Sequence, residues 1–122
     1  MKVRVLVSLL LLLSATSMRA GNRVTLSVSP SVAFEPADMT IKAVIETNQE
    51  NRSVEIIAES DDFYRRSTLP LNGDSAPRVT MVSYRSLPSG EYSVRVVVRG
   101  SMGQELAFSE KMARIVDRDG EM

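Results

Sequence analysis

Apolar and polar residues take turns along most of this chain, and that two-residue period limits the folds open to it more than any other feature. Val24, Leu26 and Val28 alternate with Thr25 and Ser27. Met39, Ile41, Ala43 and Ile45 share one parity, with Thr40, Lys42 and Glu46 on the other. Val54, Ile56 and Ala58 alternate with Glu55 and Glu59, and Tyr92, Val94, Val96 and Val98 make the clearest row. Successive side chains of a strand point to opposite faces, so an apolar set in phase with that period predicts strands with one face buried. No window keeps the spacing of an amphipathic helix.

Punctuation divides the pattern into about seven strands. Pro30 ends the first, and Ser31 to Asp38, which holds Pro36, reads as a loop or an edge segment. Polar Thr47 to Asn51 and the Ser60-Asp61-Asp62 cluster predict turns. Phe63 to Leu71 reads as a short strand that Pro70 confines to an edge, and Asn72-Gly73-Asp74 as a turn. A fifth strand covers Arg78 to Tyr84 with its inward face undecided, and Gly100-Ser101-Met102-Gly103 closes a hairpin. Leu106 to Val116 supplies a last strand whose alternation slips midway, as a bulge would cause. Short strands, polar turns and about 90 ordered residues predict an all-β, two-sheet antiparallel sandwich over residues 21–117. Residues 118–122 form a charged tail.

Leu87-Pro88-Ser89-Gly90-Glu91-Tyr92-Ser93-Val94 resembles the turn-into-strand segment of immunoglobulin-like and fibronectin type III-like domains. The resemblance covers those eight residues closely and the strand order loosely. It implies an immunoglobulin-like sandwich with a tyrosine corner, in which the Tyr92 hydroxyl bonds back to backbone upstream. The paired cysteines and buried tryptophan of true immunoglobulin domains are missing, and the architecture implies no activity.

The start of the chain has a different grammar. Basic Lys2 and Arg4 precede an apolar run from Val5 to Leu13 broken only by Ser8, and small residues follow. That order predicts a signal peptide over residues 1–20, cut after Ser17 or Ala20. The run is too short to span a membrane, so no membrane span is expected once the leader is removed. Taking Lys2, Arg4 and Arg19 from fifteen basic residues leaves twelve against fifteen acidic ones, which gives no basic field for nucleic acid. Export without a single cysteine points to a periplasmic or secreted protein of a bacterial envelope.

Histidine is also absent, which removes serine–histidine and cysteine–histidine catalysis and the usual zinc and copper sites. No cofactor and no enzyme activity is expected. Asp61-Asp62 could supply oxygens to a calcium ion, though a solvated turn is the better reading of the pair. Asn51-Arg52-Ser53 fits the glycosylation pattern, of interest only in a eukaryotic source. Phe63-Tyr64-Arg65-Arg66 concentrates side-chain types favoured at contact surfaces, or else guards an edge strand.

The third and sixth strands are expected to be antiparallel neighbours with Ile57 opposite Val97. Glu55 then faces Arg99, Glu59 faces Arg95, Ile56 faces Val98 and Ala58 faces Val96. Ile57 and Val97 would form an apolar spot rimmed by Arg95 and Arg99, read first as plain cross-strand packing with the charged stems lying over it and, more sharply, as a candidate partner surface together with Phe63, Tyr64, Arg65 and Arg66. The functional expectation is a non-enzymatic exported module that binds another envelope or secreted protein. The alternative is a periplasmic chaperone-like or assembly factor with an exposed edge strand, which requires Leu106 to Val116 not to be paired on both sides.

Overall fold

The computed structural model describes residues 23–118. The leader expected over residues 1–20, and all of the expected tail but its first residue, lie outside the described residues. Eight strands follow in order: β1 (Val24–Ser29), β2 (Val32–Phe34), β3 (Ala37–Ile45), β4 (Ser53–Ser60), β5 (Phe63–Pro70), β6 (Val79–Leu87), β7 (Gly90–Arg99) and β8 (Glu105–Val116). They form a three-stranded sheet, β1-β3-β6, and a five-stranded sheet, β2-β8-β7-β4-β5. The eighth strand is β2, inside the segment read as a loop or an edge. It pairs with β8 in parallel, and every other pair is antiparallel.

The alternating rows meet between the sheets. Leu26, Met39, Ile41, Ala43 and Ile45 of one sheet pack against Val54, Ile56, Ala58, Tyr92, Val94, Val96 and Val98 of the other. Burying each valine, leucine, isoleucine or methionine among them stabilises the fold by about 1.5–3 kcal/mol. The undecided strand β6 turns Val82 and Tyr84 inward, opposite Ile41 and Met39. Beyond Tyr84 its register against β3 shifts between Ala37 and Met39. There Ser86 takes a left-handed φ of 57°, and its N–H donates to Asp38 Oδ1 at 3.0 Å.

Pro30 lies where the chain leaves β1 in one sheet for β2 in the other, a place where a missing N–H breaks no ladder. Asn72 to Ser75 makes the expected turn, tightened into a single 3-10 turn over Gly73–Ser75. Gly73 has φ +57°, and a Cβ there would meet Gln49 O at 2.9 Å, so only glycine fits. Within the β7–β8 hairpin, Gly100 N–H donates to Gln104 O at 2.9 Å.

Two expectations are corrected. The β4–β7 register is displaced by two residues: Ile57 lies opposite Arg95, Glu55 opposite Val97, Ile56 opposite Val96 and Ala58 opposite Val94. A two-residue slip keeps every side chain on its own face, so the alternation could not distinguish the two registers. The bulge in β8 sits at Leu106, between Glu105 and Ala107, and not midway. What looked like a slip is a regular strand with apolar Phe108 and Met112 on its outer face.

Candidate interaction surface

Among the described residues, the ion pairs gather on the outer face of the five-stranded sheet. Although the register differs from expectation, both expected ion pairs form, now along the diagonal. Arg99 Nε reaches Glu55 Oε1 at 3.0 Å and Arg95 NH2 reaches Glu59 Oε1 at 3.0 Å. Arg66 adds a longer contact to Glu55 at 3.7 Å, and Arg114 meets Glu91 at 2.8 Å. Long arginines bridge a diagonal as readily as a direct opposition, so charge complementarity did not decide the register.

The expected Ile57–Val97 spot is nearly closed. Ile57 is 9% exposed and Val97 5%, beneath the arginine and glutamate side chains that cross them. Phe63-Tyr64-Arg65-Arg66 does not form one patch, because consecutive strand residues face opposite ways. Phe63 turns in and meets the Tyr92 ring edge-on, centroids 5.8 Å apart. Arg65 lies over the Phe63 and Tyr84 rings at 5.7 and 5.6 Å. Tyr64 and Arg66 are on the outer face with Arg95 and Arg99.

Sequence reasoning passed over several large apolar side chains that the structure exposes. Val32, Phe34, Phe108 and Met112 are all exposed, and all lie on the outer face along β2 and β8. Phe108 is directly opposite Val97. For Phe108 and Met112 the signal in the sequence is the apolar residues of both parities in Leu106 to Val116, which also reads as a bulge; Val32 and Phe34 fall in the segment that reads as a loop or an edge.

Two tyrosines fix the inner side. The Tyr92 ring is fully buried and its hydroxyl donates to Pro88 O at 2.8 Å, the expected tyrosine corner. Burial pushes that hydroxyl above its usual pKa; the nearby Ser60 hydroxyl opposes the shift, and the Asp62 and Glu35 carboxylates add to it more weakly. Tyr84, overlooked in the sequence, donates to Ile56 O at 3.1 Å and shares a 2.7 Å hydrogen bond with Ser67 Oγ. It thereby ties the three-stranded sheet to β4 and β5.

Asp61 and Asp62 are both exposed in the turn between β4 and β5, and among the described residues no three His, Cys, Asp or Glu side chains gather as a metal-binding group. Asn51 is buried and its side-chain N–H donates to Glu46 O at 3.2 Å, which closes the glycosylation pattern to modification in the folded state.

This geometry defines a small β-sandwich of immunoglobulin-like type. No protein-family model and no curated protein matches the chain in sequence. Solved structures match its fold. A superoxide reductase (neelaredoxin) from Ignicoccus hospitalis aligns at TM-score 0.63 and 7% identity, over 83% of this chain and 86% of that one. The sulfur carrier protein SoxY from Chlorobium limicola aligns at TM-score 0.58 and 12% identity, over 90% and 98%. The PKD domain of an M14-like peptidase from a Thermoplasmatales archaeon aligns at TM-score 0.56 and 12% identity, over 78% and 95%. A reductase, a carrier and the PKD domain of a peptidase on one scaffold show that the fold specifies no single chemistry.

Proposed function

We propose that this chain is an exported, non-enzymatic binding module that meets another envelope or secreted protein through the outer face of its five-stranded sheet. The observation that carries this reading is the run of exposed apolar side chains on β2 and β8, Val32, Phe34, Phe108 and Met112. Large apolar side chains gathered in the open on one face of a small domain mark a contact site. The basic-apolar-small order of residues 1–20 supports export, and the absence of histidine and cysteine supports a non-catalytic role.

The reading is tested with a photo-crosslinking residue placed at Met112, against a control at Ser27 on the outer face of the other sheet. The expected result is an adduct of one size from Met112 alone in cells that express the chain. Equal labelling from both positions, or none from either, overturns it. A second reading, acceptance of a strand from the partner, is favoured by the pairing of β8, which β2 covers over only three residues.

A further inference from the structure

β8 runs from Glu105 to Val116, but β2 pairs only with Arg114, Ile115 and Val116. The Arg114 N–H donates to Ser31 O at 2.8 Å, and Val116 O accepts the Glu35 N–H at 2.9 Å. Even-numbered residues of β8 therefore aim their backbone away from β7. The register against β7 runs unbroken from Ala107 to Ile115, so the alternation carries back along the strand. The N–H and C=O groups of Phe108, Glu110 and Met112 point off the open edge, where no described backbone group meets them. The same three residues put their side chains on the outer face, with Phe108 49% and Met112 59% exposed.

Glu110, between them, accepts the Ser93 hydroxyl at 2.6 Å and makes no ion pair with any described residue. Arg95, its direct cross-strand neighbour, is bound to Glu59 instead. We infer that this edge takes up an extended segment of another protein as a sixth strand, and that the segment bears a lysine or arginine flanked two residues away on each side by apolar side chains. Added in register, such a segment pairs the open backbone groups, covers Phe108 and Met112, and sets a cation opposite Glu110. The pattern is the same read in either direction, so parallel and antiparallel addition satisfy it equally. This inference rests on the outer face being the contact surface and names the chemistry of what binds there.

A second copy of the chain fits less well. In a two-fold antiparallel seam clear of β2, Glu110 faces Leu106, Phe108 or Glu110 of the other copy, and none of these is a cation. Only the register that brings Arg114 of the other copy opposite Glu110 would compensate it, and β2 already occupies that position. An apolar side chain or a second carboxylate opposite Glu110 gains no charge pairing, and directly opposed like charges destabilise such a seam.

The probe is a capped nonapeptide with valine at every second position, threonine between, and lysine in place of the central valine. A second peptide carries glutamate there. Binding is followed by amide NMR on the protein. The lysine peptide is expected to slow exchange of the Phe108, Glu110 and Met112 amides and to bind about two- to fivefold tighter than the glutamate peptide, the range of a cross-strand charge pair. Glu110→Lys, an exposed change, should reverse that preference. Absence of protection at these amides, equal affinity for both peptides, or self-association of the protein through the same amides each overturns the inference. If the peptide fails while the Met112 crosslink persists, strand addition alone is lost. Loss of both removes the contact surface itself.

Discussion

β5 and β8 lie toward opposite sides of the same sheet, and the two edges are made differently. β5 carries two arginines and ends on a proline. Arg66 is drawn to Glu55, Arg65 lies over the Phe63 and Tyr84 rings, and Ser67 is bonded to Tyr84. Charged side chains and proline are how sandwich proteins keep edges from pairing, and here those side chains are also tied to the core. β8 has a bulge at one end and β2 at the other, with Phe108 to Met112 bare between them. A fold that guards one edge and leaves the other open has a place for a strand at the second.

Several substitutions could break that contrast. The largest effect belongs to the guarded side. Tyr84→Ala removes a buried ring, its bonds to Ile56 and Ser67 and the platform under Arg65. It should cost about 3–5 kcal/mol in urea unfolding, whereas Phe108→Ala on the open side should stay within about 0.5 kcal/mol. Similar costs for the two would mean that Phe108 on the open edge is as embedded as Tyr84 in the core.

Tyr92→Phe, at the corner, should cost about 1 kcal/mol, because exposed Pro88 can recover water when its donor is lost. The same tyrosine gives a pH signature. Its folded pKa is raised, so its contribution is fully present below the unfolded value of about 10 and is lost as pH rises through the folded value. Wild-type stability should fall more steeply above about pH 10 than that of Tyr92→Phe. Parallel curves would contradict the buried hydroxyl.

Charge removal should have the smallest effect. Glu55→Gln releases Arg99 and Arg66 and should cost up to about 1 kcal/mol, less at high salt. Glu110→Gln should be neutral in thermal melts, since no described cation depends on it. A marked loss on Glu110→Gln would expose a partner within the fold and undercut its role in recognition.

The sequence made the sandwich legible wherever one face of a strand is buried and the other wet, because alternation then has a single reading. Hence the rows of β3, β4 and β7 and the Tyr92 corner agree with the structure. It could not set the β4–β7 register, since Glu55, Glu59, Arg95 and Arg99 pair across either of two registers and Ile57 and Val97 stay on the outer face in both. It also misread Phe108 and Met112. An exposed apolar residue on a strand breaks alternation just as a bulge does, and only the neighbouring strand distinguishes them. Tyr84 was invisible for a related reason: its partners, Ile56 and Ser67, are distant in the chain and lie in the opposite sheet.

Hydrogen exchange along β8 in the free protein tests the open edge most directly. Ser109, Lys111 and Ala113 direct their amides at β7, while Phe108, Glu110 and Met112 direct theirs outward. The account predicts a strict alternation, with the three even-numbered amides exchanging at rates close to those of a solvated chain and the three odd-numbered ones protected like the rest of the ladder. Uniform protection from Phe108 through Ala113 would show that the edge is already paired, and would contradict it.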